Sequence, residues 1–363
     1  MKDKIFNIYK GKKVLVTGHT GFKGAWLTFW LYLMGAKILG VSKNVITKPS
    51  LYRTLKIKDK IRNKFLDIQD FKKLNKTFLQ FKPDFVFHLA AQALVKKSFE
   101  DPRETFLTNS IGTLNILHAI KNLKNKCNAV IITSDKCYLN LEQNKGYKET
   151  DQIGGIDPYS ASKASAEIII KCYQKSFLQK NTKISFVVAR AGNVVGGGDW
   201  SDNRLIPDCI KAWTKNRSVN IRNPRSTRPW QHVLEAIGAY LYIGIVLLKN
   251  KKLNGEAFNF GPSSKKNFST REVLKILSSY WPSKSNISYL KKSKFKESNL
   301  LRLNCNKVKK KIGWSSILSF QDTIHLTAEW YETFYFNKKN IFKISKRQID
   351  NYINKFNLKI KKL

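Results

Sequence analysis

The segment Tyr159-Ser-Ala-Ser-Lys163 sets a phenol and an ammonium four residues apart, a spacing that puts both on one face of a helix. A cation beside a phenol stabilises the phenolate and pulls its pKa toward neutrality. Tyr159 could then accept a hydroxyl proton while a hydride leaves the same carbon. A second segment, Ile131-Ile-Thr-Ser-Asp-Lys-Cys-Tyr138, delivers a hydroxyl, a carboxyl and an amine in succession. Oxidation of an alcohol needs only Ser134, Tyr159 and Lys163. The adjoining Asp135 and Lys136 suit a second proton transfer such as elimination. Both motifs have bland alternatives, because Tyr-Lys at this spacing occurs on many solvated helices and Asp-Lys on many surfaces.

A redox step needs an electron carrier, and the N-terminal segment is built for one. Gly11-Lys-Lys-Val-Leu-Val-Thr-Gly-His-Thr-Gly-Phe-Lys-Gly24 reads as a short apolar strand running into Gly18-x-x-Gly21-x-x-Gly24 and then a helix. The early glycines allow a tight turn and close backbone approach. The last lets helix and strand pack closely, leaving helix-N-terminal amides facing a pyrophosphate. Thr20, Phe22 and Lys23 belong to the same cofactor turn. An acidic residue is expected at the end of the second strand, yet Gly40-Val-Ser-Lys-Asn44 contains none. Asn44 stands at that position and offers a weaker hydrogen bond to a ribose diol, whereas Lys43 favours a 2′-phosphate. NAD and NADP therefore both stand. Asp67 and Ile68, at the next strand end, are placed to meet the adenine, and Leu89, Ala90 and Ala91 to line the route toward the nicotinamide.

Apolar, β-rich runs recur at Val14–Thr17, Lys37–Val41, Phe85–Ala91, Ala129–Ser134 and Ile184–Ala191. Helical sequence lies between them at Ala25–Met34, Phe71–Phe81, Ile111–Asn122 and Tyr159–Phe177. This βαβ rhythm predicts an α/β fold, a doubly wound parallel Rossmann-type sheet whose carboxyl edge presents the motifs above. After residue 190 the rhythm breaks into a Gly-rich loop, Gly196–Asp199, and irregular segments with Pro207, Pro224 and Pro229. The expected division is a dinucleotide-binding domain over 1–190, rejoined by about 231–255, and a smaller C-terminal α/β substrate lobe over 191–335. Helical sequence returns at Val233–Leu248 and near Phe320–Phe334. Residues 336–363 form a basic tail whose spacing of Ile341, Ile344, Ile349 and Ile353 fits either a docked helix or a frayed end.

The chain has 363 residues, 42% of them hydrophobic, enough for a sizeable core. No apolar run approaches the roughly 18–20 residues that span a bilayer, and the start lacks a secretory pattern, so the expected place is the cytoplasm with no membrane partner. Five cysteines at scattered positions, without CxxC or zinc-like spacing, read as reduced thiols, and no metal is expected. The formal net charge of +42 would attract nucleic acid or phosphorylated ligands. Lysine is spread evenly with Asn and Ile, without Arg-rich clusters, which favours compositional bias over a nucleic-acid face.

The sequence resembles the extended short-chain dehydrogenase/reductase family, in its NAD-dependent epimerase/dehydratase group. Within that group it is similar to the dehydratases that act on CDP-glucose. The likeness is carried by Thr17–Gly24, His88-Leu-Ala-Ala-Gln92, Thr133–Tyr138 and Asp157–Lys163. It continues through Arg190-Ala-Gly-Asn-Val-Val-Gly-Gly-Gly-Asp-Trp200, Arg204-Leu-Ile-Pro-Asp208 and Arg228-Pro-Trp-Gln-His232. It covers residues 10 to 335 and leaves the basic tail outside.

The resemblance implies a lyase, a hydro-lyase, in which NAD takes hydride from sugar carbon 4 and returns it to carbon 6. Tyr159 would accept the 4-hydroxyl proton, Lys163 would hold the nicotinamide ribose, and Ser134 would hydrogen-bond the reacting oxygen. Asp135 would protonate the departing 6-hydroxyl, and Lys136, as a neutral amine, would assist loss of the carbon-5 proton. Gln92, Asn193, Arg204 and Arg228 would contact the nucleotide-sugar, with the arginines on the diphosphate. Trp230 is either core or a ligand contact, and His232 either shapes the pocket or caps a helix. The resemblance further implies a homodimer and a place in deoxysugar biosynthesis for surface polysaccharide such as lipopolysaccharide O-antigen. Rivals are a nucleotide-sugar 4-epimerase, a dehydratase of GDP- or dTDP-sugars, and a non-catalytic dinucleotide sensor or nucleic-acid binder.

Overall fold

Alternation within the strands decides the layering. Val14 and Val16 join one buried cluster while Leu15 joins another. Phe85 and Phe87 against Val86, Val130 and Ile132 against Ala129 and Ile131, and Val187 and Ala189 against Phe186 and Val188 divide the same way. A sheet apolar on both faces must be covered on both, which is the physical origin of the doubly wound architecture. The structure, a computed structural model, describes residues 5–143, 145–221, 223–263, 267–283, 285–289, 300–337 and 340–360.

Seven strands form the sheet: β1 (Lys13–Thr17), β2 (Lys37–Ser42), β3 (Arg62–Phe65), β4 (Phe85–His88), β5 (Cys127–Ile132), β6 (Ile184–Ala191) and β7 (Ala257–Phe260). Their order is β7-β6-β5-β4-β1-β2-β3, and every neighbouring pair is parallel. One face carries α1 (Phe22–Leu33); the other carries α2 (Phe71–Phe81), α3 (Gly112–Lys121) and α4 (Pro158–Tyr173). Asp157 caps α4 by accepting from the Ser160 amide, and Pro158 opens its first turn, a start signal that ends one residue before Tyr159. Strand order reverses between β1 and β4, so the crevice beyond their carboxyl ends is the natural ligand site.

The predicted strands Phe85–Ala91 and Ala129–Ser134 run too far. The chain leaves β4 at His88 because the Leu89 and Ala90 amides turn back to the Thr17 carbonyl and Oγ1. It leaves β5 at Ile132 because Ser134 caps a short turn over Asp135–Cys137. Helix α4 stops at Tyr173 and widens into a π turn over Gln174–Leu178. Two strands lie outside the predicted apolar runs, although an end of the first was expected at Asp67–Ile68. Edge strand β3 reads Arg-Asn-Lys-Phe and is half exposed, and β7 carries Asn259 at its centre.

Beyond β6 lie α5 (Leu205–Trp213), three two-stranded pairs and α6 (Val233–Lys249). Helix α6 is buried along almost its whole length and covers the α1 face of the sheet. After β7, α7 (Phe320–Glu332) starts at a Ser319 capping box, and residues Ile341–Ile360 form α8. This last helix is docked. Phe342 and Tyr352 stack edge-on against Phe29 and Trp30 of α1, and Ser345 accepts from the Trp330 indole of α7. Among the described residues no helix is long and apolar enough to cross a membrane.

Glu235, in the first turn of α6, is 1% exposed and joins three segments. Its Oε1 accepts from the Ile317 and Leu318 amides at 2.6 Å each, and its Oε2 from the Tyr352 hydroxyl of α8 at 2.9 Å. Burial pushes its carboxyl up to about 7, against these hydrogen bonds, which favour the charged form. The folded protein therefore holds this proton more tightly than an unfolded chain, whose glutamate titrates near about 4.3. Stability from this group is fully present at low pH and declines as pH rises through about 7. Melting wild type and Glu235→Gln between about pH 5 and about pH 8 should show the wild type losing ground to the variant as pH rises. Parallel profiles would refute the assignment.

Candidate active site

The turn after β1 is knitted to the end of β2. Gly18 adopts a φ of +74°, and its amide donates to the Val41 carbonyl at 2.8 Å. A Cβ on Gly18 would sit 2.7 Å from the Ala90 nitrogen, and one on Gly24 2.0 Å from the Gly18 carbonyl, so only glycine permits this approach. Gly21 has only the Gly18 carbonyl within reach, at 3.4 Å, and caps α1 without a side-chain hydrogen bond. No acidic residue occupies the first turn. An uncapped, acid-free helix start at the switch point fits a dinucleotide pyrophosphate.

Thr20 Oγ1 donates to the Asn44 carbonyl at 2.6 Å, so the glycine turn holds the expected ribose position by its backbone. Lys43 is engaged by Asp67 at 2.8 Å and Glu104 at 3.2 Å. Leu89, Ala90 and Ala91 follow β4 as half-buried backbone. The Ile68 side chain is 4% exposed and fills the space above Gly112, whose added Cβ would meet it at 2.4 Å, so this residue offers a cofactor its backbone.

Beside this turn, Thr133, Ser134, Asp135, Lys136 and Tyr159 line a cavity of about 430 Å³. The Ser134 hydroxyl donates to Asp135 Oδ1 at 3.0 Å and accepts from the Lys136 amide at 3.2 Å. Asp135 Oδ2 is buried with no partner. Burial raises the Asp135 pKa; the Lys136 charge and the Ser134 hydrogen bond oppose it without prevailing. A buried carboxyl biased toward its protonated form suits the work of a general acid. Lys136 Nζ lies 6.0 Å from the Tyr159 ring centre.

The spacing predicted a Tyr159 phenol pulled toward neutrality. Here burial pushes it up to about 12, with the Ser134 hydrogen bond opposing and the Asp135 charge adding to the rise. The same burial lowers Lys163, one helical step of four further along α4, to about 8. Lys23 also lines the cavity, with Nζ 5.9 Å from the Tyr240 ring centre, and burial lowers it to about 8, helped by the Lys163 and Arg204 charges.

The chain beyond β6 closes the far side. Asn193, Arg204, Arg228 and Trp230 line the cavity. Arg204 is held by Asp199 at 2.9 Å, and the Trp230 indole donates to the Phe268 carbonyl at 2.9 Å. Two expected substrate contacts lie outside the cavity wall. The Gln92 amide is committed to Leu94 and Thr105, because the chain after β4 needs those partners once it leaves the sheet. His232 is fully buried and caps α6 by accepting from the Leu234 amide at 3.3 Å.

Spacing alone did not disclose the brace beneath the site. Glu167 of α4 accepts from Arg190 of β6 through two hydrogen bonds of 2.8 Å, and from Thr133 Oγ1 at 2.6 Å. Arg190 also donates to the Tyr138 hydroxyl at 2.7 Å. The available signal was periodic, since Glu167 follows Lys163 by one further helical step of four.

The profile of the GDP-mannose 4,6-dehydratase family matches residues 15–327. The chain belongs to that family. It is 38% identical to the CDP-glucose 4,6-dehydratase of Salmonella typhimurium strain LT2, over 96% of this chain and 98% of that one. Such coverage is too high to leave out all of 336–363, so the likeness runs into the tail that the motif comparison left outside. An epimerase from Methanothermobacter thermautotrophicus shares the fold, with a TM-score of 0.78 at 22% identity over 94% of this chain and 98% of that one. So does dTDP-glucose 4,6-dehydratase from Bacillus anthracis, solved in complex with NAD. Its TM-score is 0.74 at 22% identity, over 89% of this chain and 97% of that one.

Within this family fold the Glu167–Arg190 pair is 5% exposed on both sides. Removing one member of a buried pair leaves an uncompensated charge and costs about 3–5 kcal/mol. Glu167→Ala should therefore lower the unfolding free energy by about that amount in denaturant titrations; a loss below about 1 kcal/mol would show that the pair does not brace the site.

Proposed function

We propose that this protein removes water from CDP-glucose to give CDP-4-keto-6-deoxyglucose, using bound NAD in a redox-neutral cycle. The observation that carries this reading is Asp135, a buried carboxyl with one unpartnered oxygen, in the same cavity as Ser134 and Tyr159. An oxidoreductase or epimerase acting at carbon 4 alone has no use for such an acid; an elimination does. The CDP and glucose identities rest on the 38% identity to the Salmonella enzyme.

The Gly18–Gly24 turn with Thr20, Phe22 and Lys23, the backbone at Asn44 and Leu89–Ala91, the Asp67–Ile68 segment and Lys163 would hold the cofactor. NAD held there would supply the hydride acceptor for carbon 4 and the donor for carbon 6, and its positive ring would favour the Tyr159 phenolate. Tyr159 takes the 4-hydroxyl proton, with Ser134 hydrogen-bonded to the reacting oxygen. A 4-keto group acidifies the carbon-5 hydrogen, which Lys136, half-buried beside Tyr159, helps to remove. Asp135 protonates the 6-hydroxyl, which leaves as water. Arg204 and Arg228 grip the diphosphate, with Asn193 and Trp230 beside them. Asp199 keeps Arg204 aimed into the cavity.

Family resemblance also supports a homodimer, acting in the cytoplasm on a precursor of deoxysugars. Incubation with NAD and a panel of CDP-glucose, dTDP-glucose, GDP-mannose and UDP-glucose should give a base-labile 4-keto-6-deoxy product from CDP-glucose. No turnover of CDP-glucose would sink the substrate assignment. Asp135→Asn should suppress water release while leaving NAD affinity within about twofold, a difference well under 1.4 kcal/mol; equal loss of both would remove Asp135 from the role of acid.

A further inference from the structure

The strand that ordinarily ends in a ribose-binding carboxylate ends here in Ser42-Lys43-Asn44. A lysine at this place, in a chain of net charge +42, should welcome the additional phosphate of NADP. The side-chain network argues the opposite. Lys43 Nζ lies 2.8 Å from Asp67 Oδ2 and 3.2 Å from Glu104 Oε1, so two of its three donors are taken by carboxylates. These acids come from two other elements: Asp67 follows β3, and Glu104 sits on the short helix Pro102–Phe106 beyond β4.

Both carboxylates are themselves held in place. Gln69 donates from its backbone to Asp67 Oδ1 at 3.0 Å and from its side chain to Glu104 Oε2 at 3.0 Å. Thr108 donates to Glu104 Oε1 at 3.1 Å. One residue thus clamps both acids around the lysine, and Thr20 pins the adjoining Asn44 carbonyl to the glycine turn at 2.6 Å. Two carboxylates and one ammonium leave a net negative charge beside the ribose position.

We propose that the Asp67–Lys43–Glu104 cluster selects an unphosphorylated ribose. Glu104, reaching in from beyond β4, stands in for the carboxylate missing from β2 and withholds Lys43 from a 2′-phosphate. A phosphate there would have to displace a carboxylate from Lys43 and then sit beside it. The neutral diol meets no such opposition. This inference rests on the reading of the site as a nicotinamide-dinucleotide site.

The test is equilibrium binding of NAD and of NADP, without sugar, to the full chain by calorimetry. Wild type should bind NAD more tightly than NADP. Glu104→Gln should tighten NADP by roughly three- to tenfold with NAD nearly unchanged, and the gain should shrink at high salt. Glu104→Lys should extend the same trend and serves if the glutamine variant folds poorly. Asp350→Asn, which makes the same change in net charge on α8, should leave the NADP/NAD ratio unmoved. An unchanged ratio in both Glu104 variants, an equal gain from Asp350→Asn, or a wild type that prefers NADP would overturn the proposal. Absence of binding by either dinucleotide would instead overturn the cofactor reading beneath it.

Discussion

The buried Glu167–Arg190 pair is the contact on which the site depends. It joins α4, which carries Tyr159 and Lys163, to β6. Through Thr133 Oγ1 it also reaches the end of β5, where Ser134, Asp135 and Lys136 begin. Arg190 extends the network to Tyr138, which donates to Asn259 at the centre of β7. Two charges at 5% exposure are tolerated only because every strong donor and acceptor between them is matched. The consequence is a fixed distance between the phenol on a helix and the acid on a strand end.

Above this brace, burial governs the chemistry of each group. The same desolvation raises Tyr159 and Asp135 and lowers Lys163 and Lys23, in each case favouring the neutral form. The phenol is carried the wrong way for a base, so its activation falls to charges that arrive with the ligands.

Close backbone contacts hold the two halves of the cavity together. A Cβ on Gly192 would lie 3.1 Å from Asp135 Oδ2 and 2.8 Å from Pro229, and one on Gly197 would enter the Trp330 ring. The Trp26 indole of α1 donates to the Gly197 carbonyl at 2.9 Å, and Tyr331 of α7 donates to the Asp199 carbonyl. The Gly-rich loop is therefore clamped between the sheet domain and the C-terminal helices. Gly197 admits the Trp330 ring, while Gly196 and Gly198 pack against Val233 and Leu51.

Local sequence determined whatever depends on short range. The strand-to-helix glycine turn, the i,i+4 spacing of Tyr159 and Lys163, and the Ser134-Asp135-Lys136 run were all legible, because one helix or one strand end positions each of them. The doubly wound sheet was legible too, since apolar runs of strand length alternate with helical ones. Tertiary structure alone decided which distant groups met. No spacing rule joins Glu167 to Arg190 or Lys43 to Glu104. Those pairs arise where β6 lies beside β5 and where the segment after β4 meets the residues that follow β2 and β3. It also decided that His232 caps a helix, that Gln92 braces a loop, and that a basic tail becomes a docked helix. In each case the sequence offered a side chain able to serve two environments, and burial against a partner far along the chain chose between them.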